Sequence, residues 1–474
     1  MSRPDQREIR PTRIGDLVYE VGFPTRETVR KLYDELDFQR AVLAYQYAQP
    51  LVAFHELNVG FKQLGVDEGD LIVMERFLDP RGLALTGNST TIYAMSYLDL
   101  DQNGPMVVEV SAGSYGAIFD LWQQPIAEIG PLGVDKGAGG KFLIMPRNRA
   151  DPLPAGYVPV HSRTSLAALF ARGIVKDGDV GGAAKSLEMI RVYPLTQAND
   201  PPGTKVVLAT GRDFNSIEPQ GLEYWRRVAV VTERVDDDED GGFLRSILRP
   251  LGIAPGEPFQ PDARQQAILA DAAEIGWAIC QAISMAPRFP GVAYYPGTHW
   301  ESVAWLDTEL TREYWRDLEP RTNYYFHATM AAPAMKHPTV GAGSQYLRSA
   351  RDSHGDWLNG SSHYRLRVPP DAPTGQFWSV TVYDSQTRSM IQTDTNTAAR
   401  SSYDRLAANK DGSVELHFGP TPPAGRESNW IKTLPGNGWF AWFRVYAPGE
   451  AFFDKTWQLP DIEKTGPNPP TRDD

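Results

Sequence analysis

Apolar residues fall at every second position in several short runs of the C-terminal half. In Tyr364-Arg365-Leu366-Arg367-Val368 and again in Val414-Glu415-Leu416-His417-Phe418 the alternation is that of a half-buried strand. Two further runs, Phe377–Tyr383 and Trp439–Tyr446, are apolar on both faces. Turn-forming segments separate them: Pro369-Pro370, Asp411-Gly412, Pro422-Pro423 and Pro435-Gly436-Asn437-Gly438. Short strands punctuated in this way predict an antiparallel sandwich or jelly roll.

The period is helical near the other end. Over residues 25–64, Thr25 can cap a helix on which Val29, Leu32, Tyr33 and Leu36 share a face, and Pro50 predicts a break into a second helix carrying Phe54 and Phe61. From Thr90 the period returns to two. Strands are expected at Thr90–Leu100, Met106–Val110, Tyr115–Trp122 and Phe142–Met145; a fifth apolar segment, Ser165–Phe170, follows and leads to a helix around Ala183–Ile190. Residues 196–220 read as a loop, and helices are expected over 221–235, 242–249, 260–286 and 299–316. The predicted organisation is N-terminal helices at 1–64, a first β-rich domain at 65–195, a helical connector at 196–289 and a second β-rich sandwich domain at 290–474. The fold class is therefore α+β, mainly β, with two β-rich domains bridged by helices.

Composition narrows the partners. The chain has 474 residues, 41% of them hydrophobic, which is ample for two cores. A net charge of -12 argues against nucleic acid, whose phosphates need a concentrated basic surface. No uninterrupted apolar run approaches the ~18 residues of a membrane span, so no membrane partner is expected. The start, Met1-Ser2-Arg3-Pro4-Asp5, lacks the apolar segment of a signal peptide. That implies a cytoplasmic protein, or a periplasmic one if an export signal has been removed. Cys280 is the only cysteine and lies in an apolar helical context, which fits a buried inert thiol.

Several motifs fail on inspection. Asp236, Asp238, Asp240 and Gly241 open like a calcium loop, but the closing position holds Ile247, so a solvated acidic loop is the better reading. His55-Glu56 would need a second histidine where Val59 stands. The glycines of Lys136–Lys141 are followed by Phe142, not the hydroxyl of a phosphate loop. Thr298-His299-Trp300-Glu301 fits a helix capping box better than an acid–base pair. No metal site and no cofactor are expected.

Three features survive. Asp120 sits inside the apolar run Gly116–Trp122, where a carboxylate is either a hydrogen-bond hub or a general base with a raised pKa. His327, flanked by Tyr324, Tyr325 and Phe326, is either a satisfied buried imidazole or a base. Asn88, Thr90, Thr91 and Tyr93 gather hydrogen-bonding groups at the start of a strand, as a ligand site or simply as turn chemistry.

Together with these, Asn88–Tyr93, Tyr97–Leu100, Tyr115–Asp120 and Ala138–Phe142 resemble the N-terminal domain of unknown function 1254. Leu358-Asn359-Gly360, Phe377–Asp384, Asp411-Gly412-Ser413, Asn429-Trp430, Arg444-Val445-Tyr446 and Trp457–Pro460 resemble its companion, domain of unknown function 1214. The resemblance runs from about residue 40 to 462. It implies two β-rich domains bridged by helices and carries no established activity.

The functional expectation is a small-molecule enzyme, a hydrolase or lyase, with its site between the two β domains. Asp120, His327 and Tyr93 are the candidate catalytic residues, and Asn88, Thr91, Tyr346, Asp352 and Trp378 the candidate ligand contacts. The rival expectation is a non-catalytic carbohydrate- or ligand-binding protein whose tryptophans stack on the ligand. A homo-oligomer joined through an exposed sheet edge is a further possibility.

Overall fold

The computed structural model describes residues 7–147, 154–175, 178–303, 317–332, 335 and 339–466. Two β-rich regions flank a helical segment, and the long N-terminal helix is packed between them.

That helix, Arg26–Lys62, starts where Thr25 Oγ1 accepts from the Thr28 N–H at 3.3 Å. Its buried face carries Ala41, Ala44, Ala48, Leu51 and Phe54. It continues unbroken through Pro50, where a break is expected from the sequence. Proline removes one ladder hydrogen bond, but side chains from neighbouring segments hold the surrounding carbonyls. Tyr224 Oη donates to the Tyr45 carbonyl at 2.8 Å, Arg321 donates to that of Tyr47, and Gln123 Nε2 donates to that of Pro50 at 2.6 Å.

Among the described residues, the first β-rich region holds a six-stranded and a four-stranded sheet. Strand Ile92–Asp99 lies inside the larger sheet, antiparallel to Leu166–Gly173, which in turn pairs with Tyr115–Asp120. Both faces are covered, so alternate residues enter different cores. Ile92, Ala94 and Leu98 pack toward the four-stranded sheet with Ile118, Phe142 and Leu169. Tyr93, Met95 and Tyr97 point the other way, toward the helices and the second region. The segment read as a loop at 196–220 contributes strand Val206–Leu208, parallel to Leu71–Val73 at the sheet edge.

The connector helices Leu222–Glu233, Glu239–Leu248 and Ala263–Met285 fall where the apolar periodicity places them. The last has the length and mean hydropathy (1.3) of a membrane span. It packs against Arg26–Lys62, with Gly276 beneath the Tyr45 ring. The helix expected over 299–316 is not there at its start: Glu301–Ser302 is a strand paired with Ser344–Ser349, and 304–316 lie outside the described residues. The capping box fails with it. Thr298 Oγ1 donates to the Tyr295 carbonyl, and Glu301 is drawn into an ion pair with Arg348.

The second region is the antiparallel sandwich that the alternation predicts. Its larger sheet orders Glu301–Ser302, Ser344–Ser349, Trp439–Tyr446, Trp378–Asp384 and Ala399–Ser401. Its smaller sheet is built on Tyr364–Val368 and Val414–Gly419. Trp439, Phe443 and Val445 face the sandwich interior, where Trp439 packs on Phe418. The opposite face of the central strand turns Phe440, Trp442, Arg444 and Tyr446 toward the first region.

Candidate functional site

Strand pairing sets the polar composition of that second face. Ser344 lies opposite Tyr446 and Tyr346 opposite Arg444 on one side; Ser379 lies opposite Arg444 and Thr381 opposite Trp442 on the other. Side chains directly opposite share a face. A buried patch of phenols, hydroxyls and the Arg444 guanidinium therefore looks across at Asn88–Tyr93. Between them lies a cavity of about 120 Å³, comparable to engineered core cavities that take up benzene. Leu57, Phe61, Leu78, Met95, Phe170 and Trp442 form apolar walls; Asn88, Tyr93, Tyr346 and Arg444 supply the polar side.

Asn88 joins the two halves. Its Nδ2 donates to Tyr446 Oη at 2.7 Å and to Tyr93 Oη at 3.0 Å, with Thr91 Oγ1 at 3.3 Å. Its Oδ1 accepts from the Thr90 backbone N–H and hydroxyl, which fixes the amide orientation. With the Thr90 proton committed there, the 3.2 Å contact between Thr90 Oγ1 and Tyr446 Oη is donated by the phenol. Tyr93 accepts from Asn88 and is also hydrogen-bonded with the Thr91 hydroxyl. Tyr93 also lines the cavity.

Burial raises the Tyr93 phenol well above its ordinary value, so it is a neutral donor at neutral pH. Burial also lifts Tyr346 to about 12, together with neighbouring Tyr446, against the Ser344 hydrogen bond and the Arg444 and Arg172 charges that pull it down. Tyr346 Oη lies 2.5 Å from Ser344 Oγ.

Arg444 is 1% exposed. It donates to Thr381 Oγ1 at 2.9 Å, Tyr383 Oη at 2.6 Å and the Thr86 carbonyl at 3.2 Å, and it lies 4.8 Å from the Trp442 ring centre. Thr86 is itself in the left-handed region at φ 38°, and Met330, also lining the cavity, at φ 53°. A β-branched residue there is strained, as backbone at functional sites often is.

The other expected residues lie elsewhere. Asp120 is buried with Oδ1 accepting from the Gln124 N–H at 2.9 Å and Oδ2 paired with Arg163 at 3.2 Å. Burial raises its carboxyl above the ordinary value, opposed by Arg163. His327 is buried with Nδ1 2.8 Å from Ser284 Oγ and 3.1 Å from Arg348 Nη1. Burial, and then the Arg348 charge, hold it well below its ordinary value. The two residues share no partner, and neither lines the cavity. Asp352 organises a turn by accepting from the His354 and Asp356 N–H groups. Trp378 faces the sandwich interior and stacks on Phe443. The acidic run is not a solvated loop: Asp238 caps helix Glu239–Leu248, and Arg163 pairs with both Asp238 and Asp240.

Sequence reasoning found Asn88, Thr91, Tyr93 and Tyr346 but not Thr86, Tyr383, Arg444 or Tyr446 as site residues. A usable signal was present: Arg444 is the lone charge in the eight-residue apolar strand Trp439–Tyr446.

Residues 69–194 match the family described as a protein of unknown function (DUF1254), and residues 343–450 match that described as a protein of unknown function (DUF1214). The crystal structure of the VPA0106 protein from Vibrio parahaemolyticus is similar over 91% of this chain and 100% of its own, with a TM-score of 0.52 and 19% identity. That likeness concerns the fold alone. An uncharacterized protein from Burkholderia cenocepacia is similar over 93% of this chain and 98% of its own, with a TM-score of 0.40 and 12% identity. No curated protein matches the sequence.

Proposed function

We propose that the protein is a small-molecule enzyme, a hydrolase or lyase, whose site is the cavity between the two β-rich regions. The observation that carries this reading is the Tyr93 phenol. It lines a mostly apolar cavity and is held in place by Asn88 and Thr91. A phenol so placed protonates or polarises a substrate oxygen as a bond to it breaks. Tyr346 and Arg444 sit on the facing wall and orient the substrate. Asp120 and His327 are not assigned roles in the reaction, because neither lines the cavity.

A screen of esters, lactones, amides and ethers, with and without divalent metals, tests the reading. With a substrate in hand, Tyr93→Phe lowers kcat on the order of a hundredfold or more with little change in KM, as loss of a general acid does. Unchanged turnover in that variant overturns the assignment.

The rival reading, ligand binding without turnover, uses the same cavity. Sugar stacking on the tryptophans has less support, since Trp378, Trp439 and Trp442 are all buried. Trp357, 50% exposed, is covered by Arg351 at 3.7 Å.

A further inference from the structure

Burying a guanidinium away from water is costly unless a counter-charge accompanies it. Two of the four buried arginines among the described residues follow that rule: Arg348 pairs with Glu301, and Arg388 with Glu218. Arg444 does not. Its hydrogen-bond partners are a threonine hydroxyl, a phenol and a backbone carbonyl, all neutral, and no carboxylate reaches it among the described residues. The rest of its surroundings are the ring faces of Tyr346, Tyr383 and Trp442.

A second uncompensated cation stands close by. Arg172 lies on strand Leu166–Gly173, directly opposite Tyr93 on the neighbouring strand. Its charge acts on both Tyr93 and Tyr346, and no ion pair holds it among the described residues. The lining of the cavity meanwhile holds one charged side chain, Arg444, and no carboxylate. The positive potential of two arginines is thus directed into a small, largely apolar space edged with phenol donors.

We propose that this cavity binds a small organic monoanion, a carboxylate of about four or five carbons, with its charged end toward Arg444 and the Tyr93 and Tyr346 hydroxyls. The proposal rests on the cavity being the functional site, and it adds the substrate class. A carboxylate supplies the counter-charge that Arg444 lacks and accepts from the phenols. The apolar walls formed by Leu57, Phe61 and Met95 take the hydrocarbon end. The cavity volume, about 120 Å³, limits that end to a short chain. A neutral ligand of the same shape leaves the guanidinium uncompensated and forfeits charge-assisted hydrogen bonds.

The test is calorimetric titration of the whole protein with crotonate and with crotonamide, which share shape and differ in charge. Crotonate is expected to bind at least about thirtyfold more tightly, the scale of a charge-assisted contact. Arg444→Met should bring the two affinities within a few-fold of each other. The wild-type comparison stands even if that variant folds poorly. Equal or tighter binding of the amide, with both ligands lost in the cavity-filling variant Ala53→Phe, overturns the anion inference and leaves the cavity reading intact. Absence of binding by either probe up to about 10 mM, where a Kd of that size is only weak association, overturns both. So does binding of both that Ala53→Phe leaves unchanged.

Discussion

Asn88 Nδ2 donates to Tyr446 Oη at 2.7 Å, joining the turn before a central strand of the first β-rich region to the end of the central strand of the second. The two residues are 358 positions apart in sequence. Tyr383 Oη donates to the Gly87 carbonyl at 2.8 Å beside them. The seam and the polar wall of the cavity are therefore one network.

A double-mutant cycle measures this contact. Asn88→Ala and Tyr446→Phe should each destabilise the protein, the first by about 1–3 kcal/mol because it leaves two phenol oxygens without their shared donor. Their coupling energy in denaturant unfolding should be about 0.5–1.5 kcal/mol. Strictly additive effects would show that the two halves do not meet through this pair in solution.

Substitutions at Asp120 separate a structural role from a catalytic one. Asp120→Asn keeps an acceptor for the Gln124 N–H but loses the ion pair with Arg163, and should cost about 1–2 kcal/mol. Asp120→Ala orphans that N–H and should cost about 1–3 kcal/mol. Neither should alter kcat for a substrate found by the screen. A hundredfold fall in Asp120→Asn with an intact fold would return the carboxylate to the mechanism.

The strands were legible because their period is local. Tyr364–Val368, Met106–Val110 and Trp439–Tyr446 fall where alternation or continuous apolarity places them. Pro50 misled because proline's local penalty was weighed without the side chains of Tyr224, Arg321 and Gln123, which come from distant segments. Asp120 and His327 drew notice as polar groups in apolar surroundings. Their partners, Arg163 and Ser284 with Arg348, lie 43, 43 and 21 positions away, beyond the reach of spacing rules. Half of the phenol cluster was visible as the polar run Asn88–Tyr93. The other half depends on strand register, which sets Tyr346 beside Arg444 and Ser344 beside Tyr446. Register is a pairing property, so no single strand carries it.

Close packing of the two longest helices depends on Gly276. A Cβ there would lie 2.6 Å from Tyr45 Cγ, and Tyr45 is fixed by stacking on Tyr224 with ring centres 3.9 Å apart. Gly276→Ala raises helix propensity by about 1 kcal/mol in isolation. Here the overlap should win, with a net loss of about 1–3 kcal/mol from overpacking. Thermal and denaturant unfolding of the variant decide the sign. A gain in stability would mean the helices separate without cost.

His55 and Glu56 are adjacent, and the fold shifts them in opposite senses. Burial, then the Arg227 charge, lowers His55 from 6.5 to about 4. Burial raises Glu56 from 4.5 to about 7, although Arg227 Nε lies 2.5 Å from its Oε1. The fold thus favours protonated Glu56: its contribution is full below pH 4.5 and is lost as pH rises through about 7. The fold favours neutral His55: its contribution is full above pH 6.5 and is lost as pH falls through about 4. Each shift corresponds to about 3 kcal/mol. Between pH 4.5 and 6.5 the two slopes oppose and largely cancel in the wild type. His55→Gln should expose the Glu56 slope, so that stability relative to wild type falls as pH rises across this range. Glu56→Gln should expose the reverse slope, with stability falling as pH drops. Urea unfolding of the three proteins at several pH values reads both slopes. Parallel curves for wild type and either variant would show that the replaced group titrates alike in the folded and unfolded chains.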